Sequence, residues 1–285
     1  MKRLLAAVVA AGLAATAASA QPAPKKPRVM SLSQCTDQIL LMLAPPERIT
    51  SVTYLAEPNA VTEEVRRNAR RVRINHGLAE EVLAEKPDLL LSGEYNTPAT
   101  RRLAKKVGIP LLEVASADSF EGVRKVTLQI GEAIGERAKA EALIARMDAD
   151  LAELARTAPR RKLLAVGWSG SGRAPGKNSM FNDILTAAGG INLAARPGPF
   201  ESDFNLEELL ALNPQPDLLL YGASGATRAT FQAGVTRHPV LQRAYANRRV
   251  SYPEATYVCG VPQSTGAAWE LRRVMLAALN DGAVR

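Results

Sequence analysis

The sequence predicts an α/β protein of two Rossmann-like lobes, each with a small parallel sheet, joined by one long helix and separated by a ligand cleft. Three observations predict it. The first is a repeat: Leu78-Ala-Glu-Glu-Val-Leu-Ala-Glu-Lys-Pro87-Asp88-Leu-Leu-Leu91-Ser-Gly93 returns as Leu206-Glu-Glu-Leu-Leu-Ala-Leu-Asn-Pro-Gln-Pro216-Asp217-Leu-Leu-Leu220-Tyr-Gly222. Each copy reads as a short helix, a Pro-Asp break, an apolar strand and a Gly stop. Their spacing of about 130 residues is that of domains, not of solenoid units. The second is an alternation of strand-like and helix-like runs, the order of a parallel sheet. The third is an uninterrupted helical pattern between the copies.

The elements follow in order. Arg28 to Ser33 reads as a first strand, and Thr36 or Asp37 caps a helix over Gln38 to Leu43 that stops at Pro45-Pro46. Ile49 to Thr53 is a second strand. The repeated helix Leu78 to Glu85 leads into the strand Leu89 to Leu91. Thr97 to Val107 is helical up to Gly108, and Pro110 to Val114 is a strand. Ser119 to Ile134 and Glu136 to Thr157 are helical, with Gly135 as the break. In the second of these Ala140, Leu143, Ile144, Met147, Leu151 and Leu154 recur at helical spacing. It has the length of a strut between lobes, about 33 Å. The second lobe holds the strand Leu163 to Val166, the helix Met180 to Ala188, the repeated helix Leu206 to Leu212, the strands Leu218 to Tyr221 and Val250 to Tyr252, and the closing helix Gly266 to Leu279.

The boundaries are therefore residues 1–20 as a cleavable signal, 21–27 as a Pro- and Lys-rich linker, 28–118 as the N-terminal lobe, 119–158 as the helical connection and 159–285 as the C-terminal lobe. Lys2 and Arg3 begin the signal, Leu4 to Ala14 form its apolar run, and Ala18-Ser19-Ala20 precedes the cleavage point at Gln21. Export to the periplasm follows. The net charge of +8 suits an anionic partner, but export argues against nucleic acid. The run Arg66, Arg67, Arg70, Arg71 and Arg73 reads as a solvated face. Cys35 and Cys259 form no C-x-x-C pattern. A disulfide across the cleft, a soft metal site and two unrelated thiols are all compatible with them.

Ligands of open α/β sheets sit beyond the carboxyl ends of the strands. That places Cys35, Thr36, Tyr54, His76 and Tyr95 on the first lobe's side of the cleft, with Trp168, Arg173, Tyr221, Tyr257 and Cys259 on the second's. Aromatic residues make up only 5% of the chain, yet five of them fall at strand exits, where flat ligands need faces. His76 reads as a helix cap or a metal ligand, and Arg173 as a bidentate anion contact or a solvated arginine. The segment Gly167-Trp-Ser169-Gly-Ser171 misses the G-x-S-x-G elbow at its fifth position. The loop Gly172 to Ser179 misses the P-loop spacing. An exported hydrolase and a nucleotide site are therefore disfavoured, and neither an enzyme nor a cofactor is expected.

The opening Val29-Met-Ser-Leu-Ser33, the following Thr36-Asp37-Gln38-Ile39-Leu40, the two Pro-Asp-Leu-Leu-Leu strands, the long helix and Gly176-Lys-Asn-Ser-Met-Phe-Asn-Asp-Ile-Leu185 together resemble the periplasmic binding proteins of iron-siderophore, haem and cobalamin ABC importers, close to the cobalamin-binding member. The resemblance runs from about Arg28 to Leu279. It implies rigid lobes with little hinge motion and a monomer that captures a metal chelate and hands it to the permease subunits of an ABC importer. It also implies one exposed carboxylate per lobe for docking, which falls on Glu80 and Glu207. Tryptophans clasp the corrin in the cobalamin-binding member. Here Ile74-Asn75-His76, Tyr257 and Cys259 stand at those positions, a set suited at least as well to haem, a ferric chelate or a metal complex. A carrier of free metal ions is the alternative, with only His76 and His238 to supply imidazoles.

Overall fold

Five short apolar strands form the first sheet of the computed structural model, which describes residues 26–94, 98–168, 172–196, 201–222, 238–246, 248–252 and 255–280. The expected signal lies outside the described residues. The strands are β1 (Val29–Ser31), β2 (Ile49–Thr53), β3 (Ile74–Asn75), β4 (Leu89–Gly93) and β5 (Leu111–Val114). All run parallel, in the order β3-β2-β1-β4-β5. Parallel neighbours need crossovers, here α1 (Gln34–Leu43), α2 (Glu63–Ala69), α3 (Ala79–Glu85) and α4 (Pro98–Lys106). Helices cover both faces, so Val29, Met30, Leu90 and Leu91 are wholly buried.

The connection consists of α5 (Phe120–Ala133) and α6 (Arg137–Arg156), broken where Gly135 takes a positive φ of 72°. The 20 residues of α6 span about 30 Å. Its two ends serve different cores: Ala140 and Leu143 pack with the first sheet, and Met147, Leu151 and Leu154 with the second. The helix is the strut its pattern predicts.

The second lobe contains β6 (Leu163–Gly167), β7 (Arg173–Pro175), α7 (Met180–Ala188), β8 (Gly190–Asn192), β9 (Glu201–Asp203), α8 (Leu206–Ala211), β10 (Leu218–Gly222), α9 (Pro239–Ala244), β11 (Arg249–Tyr252), α10 (Ala255–Val258) and α11 (Ser264–Asn280). Its parallel sheet runs β11-β10-β6-β8, with an antiparallel ribbon of β7 and β9. Arg272 on α11 is buried and donates to Ala187 O, Ala188 O, Leu154 O and the Thr157 hydroxyl. It satisfies the carbonyls that close α6 and α7, which no helix can satisfy for itself.

Several elements go beyond the sequence reading. The strands β3 and β8 have two and three residues, too few for any period to show. The helix α2 grows inside the arginine run because the Thr62 hydroxyl accepts from Val65 N and Val65 is buried. The helix α1 starts at Gln34, before the expected cap.

The Pro-Asp pair of each repeat does more than break a helix. Asp88 accepts from Arg28 N at 2.8 Å, just before β1, and Asp217 accepts from Leu164 N at 2.8 Å in β6. An arginine accompanies each: Arg28 lies 3.4 Å from Asp88 and Arg161 3.2 Å from Asp217. Each carboxylate thus ties the start of the neighbouring inner strand to the start of its own. Solvent screens Asp88, 48% exposed, more than Asp217, 17% exposed. Asp217→Ala is therefore expected to cost about 1–3 kcal/mol in chemical denaturation, and Asp88→Ala distinctly less. An equal loss from the two would contradict this reading of their roles.

Candidate functional site

Strand order selects the place where a parallel sheet can hold a ligand. In the first lobe the chain winds outward from β1 through β2 to β3, then returns to the other side of β1 as β4 and β5. The loops leaving β1 and β4 therefore part in opposite directions and open a crevice between them. A cavity of about 250 Å³ occupies this point. Ser33, Cys35 and Thr36 wall it from β1 and α1, Gly93 and Glu94 from β4, and the strip Val114 to Asp118 from β5. Val258 and Gly260, from the far end of the chain, close it.

The Cys35–Cys259 disulfide brings those distant residues in; the two Cα atoms are 5.0 Å apart across a sequence separation of 224. Neither thiol is free, which settles the alternatives left by the sequence in favour of the bridge. Cys259 and Val261 join the hydrophobic core of the first lobe. Gly260 is needed there because a Cβ would collide with the Ala117 carbonyl oxygen. Nearby, Asp183 at the start of α7 accepts from Phe120 N at 3.0 Å, fixing the start of α5 on the second lobe, whose core Phe120 joins.

Beneath the rim lies a buried polar layer. The Ser31 and Thr36 hydroxyls are 2.7 Å apart, and Asn75 donates to Ser31 O and to the Ser51 hydroxyl. Asp37 is fully buried and accepts from Thr53 N and the Thr53 hydroxyl. Burial pushes its carboxyl up to about 7, against the opposing pull of hydrogen bonds from Ser31 and Thr53.

The expected site residues divide into groups. Cys35 and Thr36 line the cavity, and Cys259 sits between two of its wall residues. Tyr54 and His76 stand further along the same rim, at the exits of β2 and β3, stacked with ring centroids 5.2 Å apart at 20°. Both are largely exposed. Glu81 holds His76 in place, accepting from its backbone N at 2.9 Å with Nδ1 3.4 Å away. Tyr95 lies outside the described residues, as does Ser169 of the near-elbow. Arg173 opens β7 on the surface, opposite Asp203. Tyr221 is partly buried under the Arg249 guanidinium, 5.0 Å from its ring.

Two expectations are corrected. Trp168 is a core residue, 1% exposed, packed with Phe204, Leu209 and Tyr245, and its indole N–H donates to Phe204 O at 2.9 Å. With its polar edge satisfied and its rings enclosed, it offers no face to a ligand. Tyr257 is likewise buried, tilted against Phe181 at 5.6 Å. Burial pushes its hydroxyl well above the usual phenol range, and the charge of Glu270 adds to the effect.

Glu80 and Glu207 hold equivalent, exposed positions, each the second residue of its helix. Their neighbours Glu81 and Glu208 were missed as functional partners of the fold. Glu81 accepts from Leu78 N and Glu208 from Asn205 N, so each helix start is capped by the second carboxylate of a Glu-Glu pair while the first stays free to point outward. The signal for this is the third-position glutamate after Leu78 and after Asn205. Asp118 at the cavity was also missed, because nothing local marks it until β5 is placed beside β4. Among the described residues no three of His, Cys, Asp and Glu gather as a metal site, and no helix is long and apolar enough to cross a membrane.

Comparison with known proteins accords with this geometry. Residues 29–255 match the family profile described as periplasmic binding protein. A cobalamin-binding protein of Halobacterium salinarum is 29% identical over 235 residues, covering 78% of this chain and 62% of the relative, so the chain spans less than two thirds of that protein's length. An uncharacterised ABC transporter substrate-binding lipoprotein of Bacillus subtilis is 28% identical over 182 residues, 60% of this chain and 56% of the relative. The apo structure of a periplasmic haem-binding protein from Roseiflexus superposes with a TM-score of 0.68 at 22% identity, covering 91% of this chain and all of that one. At that identity the likeness is one of fold.

Two outcomes are expected from the site's construction. Removing the bridge by Cys35→Ser with Cys259→Ser lowers the denaturation free energy by about 2–5 kcal/mol, read from denaturant midpoints; an unchanged midpoint would show that the bridge constrains nothing. Asp37 holds its proton more tightly folded than unfolded. Its contribution is therefore complete below about pH 4 and is lost as pH rises through about 7. Asp37→Asn should gain on the natural protein by up to a few kcal/mol between those limits. A stability difference independent of pH would contradict the carboxyl's raised affinity for its proton.

Proposed function

Because the chain belongs to the periplasmic binding protein family, we propose that it captures a metal chelate between its lobes outside the cytoplasmic membrane and delivers it, untransformed, to the permease of an ABC importer. The observation that carries this is the cavity at the switch point of the first sheet, walled by residues from both ends of the chain. The names of the archaeal and Bacillus relatives support the class of cargo and of partner. Cys35 and Thr36 contribute to the cavity wall, and the stacked Tyr54 and His76 offer an exposed aromatic platform on the same rim. Glu80 and Glu207 serve as one docking carboxylate per lobe, for cationic side chains of two permease subunits. The N-terminal signal directs the chain to the periplasm, where it acts as a monomer. A carrier of free metal ions is less well supported, since both cysteines are consumed by their bridge.

The purified protein is expected to bind one equivalent of cyanocobalamin, haemin or a ferric siderophore. A cargo at about a hundred times its Kd adds about 2.7 kcal/mol to stability, raising Tm by about 5 °C or more. A flat melting temperature across all of these chelates would reject the proposal. Separately, Glu80→Lys with Glu207→Lys should leave cargo affinity unchanged while uptake through the importer falls at least tenfold. Normal uptake would remove the docking assignment but not the capture function.

A further inference from the structure

Resting on the chelate-capture proposal, we infer that the switch-point cavity receives a side arm of the cargo that ends in an N–H donor, an amide or an ammonium, and so selects neutral or cationic chelates over those edged with carboxylates. At about 250 Å³ the cavity is too small for a whole macrocycle, which needs a cleft of several hundred Å³. It suits an arm. Its inner wall is apolar, from the buried Ile39, Val114 and Val126, with the exposed Val258 at the rim, and accommodates a methylene stem. The charged residues among those that line it are two carboxylates, Asp118 and the exposed Glu94.

Among the described residues those carboxylates have few partners. Glu94 uses one oxygen to accept from the Ser116 hydroxyl at 2.7 Å and Ser116 N at 3.4 Å. Its second oxygen, and both oxygens of Asp118, have no donor or cation among the described residues. Burial raises the affinity of Asp118 for its proton, and the nearby charge of Glu94 raises it further. The exposed Glu94 thus acts on a half-buried Asp118, and the two like charges disfavour each other. An N–H donor supplies the missing hydrogen bonds and relieves the repulsion. A ligand carboxylate brings a third negative charge to the same place. The protein's overall charge of +8 gives no hint of this, because the local field at the cavity has the opposite sign.

Matched pairs on one scaffold isolate the effect: cyanocobalamin against its side-chain monocarboxylic acids, haemin diamide against haemin, and ferrioxamine B against its N-succinyl derivative. Affinities are measured at equilibrium by tryptophan fluorescence. In whichever scaffold binds, the amide or ammonium member is expected to bind about fivefold or more tightly, and Glu94→Gln with Asp118→Asn should bring that ratio near one. With the unaltered protein, the ratio should also shrink as salt rises from about 0.01 M to about 1 M, shortening the screening length from about 30 Å to about 3 Å. That measurement stands even if the double variant does not fold. Equal or tighter binding of the carboxylate member, or a ratio that neither salt nor the variant alters, overturns the inference and leaves chelate capture intact. Failure of every scaffold to bind overturns both.

Discussion

The covalent bridge between Cys35 and Cys259 is the constraint on which the arrangement of the site depends. The helices on either side of Cys259, α10 and α11, pack against α7 in the second lobe, and the bridge pins the segment between them to the first. With it, Cys259 and Val261 become part of the first lobe's core, and Val258 and Gly260 become walls of its cavity. The lobes are then joined at separate points: through α5 and α6, each of which has its ends in different cores, and through the bridge. A hinge needs one axis about which everything else is free. Ties at separated points restrict that freedom and leave the cavity between them preformed.

The large-scale plan was legible in the sequence because it is written in long, redundant signals. The repeat, the Gly135 break and the apolar spacing of α6 each involve many residues that agree, and the structure follows them. What escaped is written in single contacts. Trp168 falls at a strand exit, where an aromatic ring can face either way; the Phe204 carbonyl and the packing of α8 decide that it turns inward. The short strands β3 and β8 exist because a neighbour's edge is available, a fact with no local trace. The two cysteines are far apart in the chain, and only the folded path makes them partners. The site was therefore visible as a set of loops, but which of their residues meet was not.

Charge shows the same separation between global and local. The arginine run reads as a solvated face, and within it Arg66 and Arg70 are engaged with Glu57 and hold α2. The charged groups lining the cavity are few and acidic, the exposed Glu94 and the half-buried Asp118. Burial raises the affinity of Asp118 for its proton. The repeat makes a related economy of glutamates: in each Glu-Glu pair one residue stabilises the helix that displays the other.

The sequence positions of the bridge have a consequence for biosynthesis. Ribosomes add about 5–20 residues per second, so the 224 positions between the cysteines correspond to at least about ten seconds in which Cys35 has emerged and its mate has not. No other cysteine exists in the chain, so the waiting thiol has no wrong partner within its own molecule. The only mispairing open to it is with another nascent chain or a foreign thiol. Closure of the bridge thus reports that the chain through Cys259, with everything between the two cysteines, has arrived.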